Sequence, residues 1–195
     1  MKPLTVHDVM PFEEYERERD AFRQRIINLK QWRRISVGDL ITLVFENRDT
    51  VLFQIQEIVR TERILAPERI REEVESYNEQ IPGAGELSAT LLIEVTDPAK
   101  VKEVLDGLKG IDRGASVALR IGTNFLYGAF EQGRSKEDKI SAVHYVRFRI
   151  PEPVKAEMRN LQIPVEIVID HTNYKASAKV PDETRFSLLN DLSSD

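Results

Sequence analysis

The chain contains no cysteine. That removes disulfides, a thiolate nucleophile, cysteine-ligated zinc and cysteine-ligated iron–sulfur clusters. Histidine is scarce, with three in 195 residues, so few side chains titrate near neutrality without help. No apolar run is long enough to span a bilayer, and the opening MKPLTVHDVMPFEEYERERD is too charged for a signal peptide. No Asn-x-Ser/Thr sequon occurs. The expectation is a cytoplasmic protein with no membrane association. Excess positive charge is also missing: 28 basic against 33 acidic residues leave a net charge of -5, which argues against a nucleic-acid partner held by bulk charge.

Catalytic signatures are absent as well. There is no GxSxG elbow, no GxxxxGK[ST] phosphate loop and no HExxH. Gly83 and Gly85 form a lone GxG that follows a helical segment and has Ser88 at the third glycine position, so the dinucleotide fingerprint fails. The catalytic residues are unknown on this reading, and no cofactor is indicated. Two histidines with Glu57, Glu62 or Glu94 would suffice chemically for zinc or iron, but no histidine pair has short ligand spacing, and no metal is assigned.

What is present centres on Ser36–Leu65. Leu40–Phe45 is rich in β-branched residues and bounded by Gly38 and Asn47-Arg48-Asp49, which reads as a strand ending in a turn. After Asp49 or Thr50, either able to cap a helix, apolar residues at Val51, Leu52, Ile55, Ile58 and Val59 fall at helical spacing. Continuing that stripe reaches Glu62, a carboxylate where the apolar face should run on. Glu57, Arg60 and Arg63 flank it. Such a cluster is either a solvated helix end with ordinary ion pairs or a partly buried site for an anion, a metal or a partner.

The rest of the chain patterns cleanly. Pro11–Arg34 reads as a long helix with acidic residues early and basic ones late, as the helix dipole favours. Lys30–Arg34, with Trp32 among the charges, is a solvated helix end or a basic docking patch. Pro67–Gln80 is a second helical segment, Ala89–Val95 a strand, and Asp97-Pro98 starts a helix closed by Gly110. Strands follow at Ser116–Ile121, Phe125–Phe130, Ser141–Ile150 and Pro164–Asp170, with a short helix at Pro153–Leu161. Tyr174–Val180 alternates, a final helix starts at Pro181-Asp182-Glu183, and the tail from Ser193 to Asp195 is expected to fray. The implied class is α+β, with a mostly antiparallel sheet and helices concentrated in the N-terminal half. Residues 1–195 read as a single domain, with a helical part over 1–82 packed on a mainly β part over 83–195.

Strand alternation puts His144 on the same face as Val146, Phe148 and Ile150, either as a satisfied core histidine or as a ligand in a pocket. His171 follows Asp170 at a strand end with Tyr174 close behind, a position that often carries binding groups. Arg147 and Arg149, with Tyr145 nearby, occupy the opposite and more exposed face. One aromatic on an acidic chain is a weak nucleic-acid surface.

Several separated stretches together resemble a bacterial family catalogued as a domain of unknown function. They are MKPLTVHDVMPFEEYERERDAFR, RRISVGDLITLVFENRDTVLFQIQEIVRTERI, YNEQIPGAGELSATLLIE, EDKISAVHYVRFRI and IDHTNY. The resemblance implies no catalytic residue. It implies a setting: such proteins are often encoded near a rubrerythrin-like protein and a heterodisulfide-reductase-like iron–sulfur protein. A cysteine-free chain in that setting would be an accessory or interaction protein of a redox or peroxide system, with one of those proteins as its partner. The alternative is an enzyme, or a small-molecule or metal binder, built on a Glu/Arg/His pocket. The binding candidates are Gln54, Glu57, Arg60, Glu62, Arg63, His144, Asp170, His171 and Tyr174.

Overall fold

Among the described residues, alternating apolar side chains on nine short strands build two antiparallel sheets whose inner faces share one core. The computed structural model describes residues 1–131, 133 and 140–193. Ser194 and Asp195, where the tail was expected to fray, lie outside the described residues. The first sheet runs in the order β1 (Arg34–Val37), β2 (Ile41–Glu46), β3 (Glu86–Ile93), β7 (Val143–Arg149) and β6 (Ala129–Phe130). The second runs β5 (Asn124–Tyr127), β4 (Val117–Ile121), β8 (Val165–His171) and β9 (Tyr174–Lys179). Inner-face residues such as Leu43, Phe45, Leu91, Val146 and Phe148 meet Leu119, Ile121, Ile167 and Ile169 in that core. Complete removal of side chains this size from water is worth about 1.5–3 kcal/mol each.

Helices cover both ends of the sandwich. α1 (Phe12–Gln31), α2 (Arg48–Thr61) and α3 (Pro67–Asn78) form an N-terminal layer with apolar clusters of its own, Val51, Ile55, Val59 and Val74 in one and Tyr15, Phe22 and Ile26 in another. α4 (Val101–Gly107), α5 (Glu152–Arg159) and α6 (Asp182–Asp191) close the sandwich core with Val104, Leu105, Met158 and Leu188. The class is α+β. The helices are not confined to the N-terminal half, because α5 and α6 are needed to cap the second sheet. The first sheet also straddles residue 82: β2, before it, pairs with β3, after it.

Several boundaries differ from the sequence reading: the strand read at Ala89–Val95 is Glu86–Ile93, and the one read at Phe125–Phe130 divides into β5 and β6, which join different sheets. The first helix stops at Gln31 instead of continuing to Arg34, and Arg34–Val37 forms β1. Ile35 and Val37 are buried while Arg34 and Ser36 are exposed, a period of two that the helical count through Arg33 masks. α2 begins two or three residues earlier than Asp49 or Thr50 as a cap would place it. Its cap is Asn47, whose side chain accepts from Asp49 N at 3.1 Å and Thr50 N at 3.0 Å, while the Thr50 hydroxyl accepts from Asn47 N at 2.9 Å.

Arg33 is the largest surprise. It is neither a solvated helix end nor a docking group: its exposure is 0%. Its guanidinium donates to Phe45 O at 2.8 Å, Ser187 Oγ at 2.8 Å and Glu46 O at 3.1 Å, and pairs with Asp191. Burial pushes the Asp191 carboxyl above its ordinary range, against the pull of Arg33. This ion pair ties the last helix to the hairpin of β1 and β2, where a buried charge persists only because nearly all its donors are used.

Candidate functional site

Register determines what the outer face of the first sheet displays. Arg34 pairs with Val44, Val44 with Thr90, and Thr90 with Tyr145, giving one row across four strands. Leu92 and Val143 lie in the neighbouring row, with Thr42 opposite Leu92. Glu46, two residues beyond Val44, is the diagonal neighbour of Arg34, about 7–8 Å away between Cβ atoms. The end of α1 and one turn of α2 lean over this face, bringing Lys30 and Gln54 to it. Together these groups enclose a cleft of about 330 Å³ lined by Lys30, Arg34, Val44, Glu46, Gln54, Thr90, Leu92, Val143 and Tyr145. That volume falls at the lower end of small-molecule sites.

The cleft is polar at its flanks and apolar across its floor. Glu46 is only 3% exposed. Its Oε1 accepts the Thr90 hydroxyl at 2.8 Å and its Oε2 the Thr50 hydroxyl at 2.5 Å, but no cation pairs with it among the described residues. Gln54 lines the cleft, and its buried Nε2 has no acceptor among the described residues. Lys30 has no ion-pair partner among the described residues. Arg34 is partly used: it meets Glu94 at 2.5 Å, and Glu94 also accepts the Thr42 hydroxyl at 2.6 Å. The Thr42 hydroxyl, then Arg34, hold the Glu94 carboxyl below its ordinary range. Tyr145 lines a second hollow of about 350 Å³ beside this one, with Glu79, Ala129, Phe130, Glu131 and Arg147.

The candidates read from the sequence disperse through the fold. Gln54 alone lines the cleft. Glu57, one turn on, sits in the seam between α1 and α2, where Arg19 grips it with Nε and Nη2 at 2.8 Å each and the Tyr15 hydroxyl donates at 2.7 Å. Arg19, its strongest donor, and then Tyr15 hold the Glu57 carboxyl below its ordinary range, whereas burial and that same carboxylate push the Tyr15 phenol up. Arg60 pairs with Glu16 at 2.5 Å in the same seam. Glu62 and Arg63 are exposed and end the helix. Arg63 adopts φ 51°, Ile64 N donates to Val59 O at 2.9 Å and Arg63 N to Arg60 O at 3.2 Å. That is a Schellman stop, sealed by the buried pair Val59 and Ile64. Glu62 therefore interrupts no apolar stripe, since the helix has finished before it. Arg60 and Arg63, with Phe12, Glu16 and Thr61, line an open groove of about 520 Å³.

The histidines occupy other layers. His144 is 1% exposed on the core side of β7, as alternation predicted, with Nε2 2.8 Å from Ser141 O, Nδ1 3.8 Å from Asp112 and the Phe130 ring edge-on. His171, at the end of β8, places Nε2 3.0 Å from Lys109 O and accepts at Nδ1 from Asn173 N at 3.3 Å, so its ring braces the loop after α4. Asp170 is exposed and pairs with Lys175 at 2.6 Å. Tyr174 staples the two sheets: its hydroxyl donates to Val37 O at 2.7 Å and accepts from Leu40 N at 3.2 Å. The turn it grips needs Gly38, at φ +69°, because a Cβ there would lie 2.2 Å from that hydroxyl. Neither histidine lines the cleft. Among the described residues no group of three or more His, Asp or Glu side chains is placed to hold a metal ion. No helix among them is long and apolar enough to cross a membrane.

Glu46 and Thr90 were not singled out in the sequence, Lys30 was named only as part of the basic helix end Lys30–Arg34, and Tyr145 only beside Arg147 and Arg149. One signal was present: in the apolar run of β2, Thr42 and Glu46 recur on a single face.

Comparison with known proteins agrees with the fold. The family model described as a protein of unknown function, DUF3501, matches residues 3–192. A crystal structure of a protein of unknown function from Burkholderia pseudomallei superposes with a TM-score of 0.90 at 29% identity, covering 98% of this chain and 100% of that one. No curated protein matches the chain.

Proposed function

We propose, from the premise that the chain belongs to the DUF3501 family of proteins of unknown function, that it is a binding protein whose ligand site is the cleft on the outer face of the first sheet. One observation carries this reading: the cleft gathers the Gln54 amide nitrogen and the Lys30 ammonium, neither with a protein partner among the described residues, beside a Glu46 carboxylate that has two hydroxyl donors but no cation. Buried polar groups are ordinarily satisfied, so such a collection in one concavity is what a ligand would complete. Among the described residues the cleft's lining holds one carboxylate, Glu46, and no histidine, and binding is the activity this reading assigns to it. The test is thermal unfolding against a library of small polar metabolites. A ligand at a hundred times its Kd stabilises by about 2.7 kcal/mol, an upward shift of roughly 5–10 °C for a chain this size. The shift should vanish when Leu92→Trp fills the floor. Hits that stabilise the filled variant equally would overturn the reading.

The accessory role in a redox or peroxide system is supported by the family resemblance and by the absence of cysteine, which leaves the chain to serve a cluster-bearing partner without carrying a cluster itself. A rubrerythrin-like or iron–sulfur protein is the partner this reading names. The exposed end of α2, with Glu62, Arg63 and the open groove beside Arg60, is the surface offered for it. Arg63→Glu should weaken co-purification of that partner from the native host, an effect that raised salt would mimic. Equal recovery with wild type and variant would remove this surface.

A further inference from the structure

The cleft's charge pattern specifies a ligand class. Two complementary demands meet within it. Glu46 is a buried carboxylate served by hydroxyls and by no cation among the described residues, and its oxygens keep lone pairs for further donors. Burial without a counter-ion is costly, so its complement is a cation with several N–H donors. Lys30 and the Gln54 Nε2 make the opposite demand. Both are donors lacking an acceptor among the described residues, and Arg34, diagonal to Glu46 across β1 and β2, adds positive charge on the same side. Their complement is an anion. Val44 and Leu92, diagonal neighbours across β2 and β3, form an apolar floor between the two flanks.

We infer that the cleft takes a small zwitterion, a free α-amino acid with an apolar side chain, its ammonium on Glu46, its carboxylate toward Lys30 and Gln54, and its side chain on Val44 and Leu92. The inference rests on the cleft being the ligand site. An anion alone would leave Glu46 repelling it, and an amine alone would leave Lys30 and Gln54 unanswered. A zwitterion satisfies both ends in one molecule. The chain's negative net charge disfavours neither end, since the ligand is neutral overall.

Isothermal titration with leucine, valine and phenylalanine, each beside its deaminated acid and its decarboxylated amine, tests the class directly. At least one amino acid should bind, with both analogues weaker by roughly tenfold or more, the loss expected for a charge-assisted hydrogen bond. Lys30→Met should narrow the gap between the amino acid and its amine without closing it, because the carboxylate loses Lys30 but keeps Gln54. That exposed-side variant leaves the core intact, whereas Glu46→Gln disturbs a buried acceptor and is read only if it unfolds like wild type. If an acid or amine analogue binds as tightly as its amino acid, the zwitterion class is wrong while the cleft stands as the site. The class also falls if metabolite hits abolished by Leu92→Trp include no amino acid. Amino-acid binding that survives Leu92→Trp unchanged would overturn the site itself.

Discussion

Gln54 and Glu57 sit one turn apart on α2 and fare oppositely. Glu57 faces α1, where two arginine nitrogens and a phenol saturate it. Gln54 lies over the sheet, where its Nε2 has no acceptor among the described residues. Charge alone would have marked Glu57 as the functional group, and the sequence reading gave it that weight. Saturation separates the two: a polar group whose partners all belong to the protein contributes to the fold, and one left unanswered in a concavity is available to something else. The two faces of β2 repeat the lesson. Its backbone carbonyls at Phe45 and Glu46 answer the buried Arg33, whereas the Glu46 side chain on the outer face has hydroxyls but, among the described residues, no cation.

Breaking a saturated group should cost stability, and altering an open one should cost binding. The largest expected effect is at Arg33: Asp191→Ala strands a guanidinium with no exposure and should lower stability by about 3–5 kcal/mol, seen as a drop in Tm on the order of 10 °C. Next, Glu57→Ala should cost about 1–2 kcal/mol, since the site is partly screened by solvent, and leave cleft binding unchanged. Its pH dependence sharpens the point. The folded-state pKa of Glu57 lies below the ordinary 4.5, so its contribution is complete above that pH and is lost as acid protonates the folded carboxylate. Denaturant midpoints of wild type and Glu57→Ala should therefore converge as the pH falls below 4.5, and a gap that persists in acid would contradict this account.

Gln54→Ala should behave in the reverse manner, with stability within about 0.5 kcal/mol of wild type and a several-fold weaker ligand affinity by titration. If it destabilises as Glu57→Ala does, the contrast between the two collapses. The smallest effect is a gain. Arg63 holds a left-handed conformation at φ 51°, so Arg63→Gly should raise stability by about 0.5–1 kcal/mol, the relief of strain less the added chain entropy.

Nearly every element was legible in the sequence, because periodicity is a local property. The strand carrying Phe45, the helix of Val51, Ile55 and Val59, and the core-facing side of His144 all follow from spacing within one element. The misreadings arose where local patterns compete. Arg33 fits the stripe of a helix that had already ended, and Glu62 fits one that a Schellman turn had closed. The cleft was not legible. Arg34, Val44, Thr90 and Tyr145 form a row only through three strand registers, and register is decided by which faces the second sheet and the helices bury. The sequence by itself determined the class of the fold and the inward face of each strand, since these depend on periods of two and 3.6. Tertiary structure alone decided which polar groups were answered, because hydrogen-bond partners distant in the chain meet only once the sheets have paired.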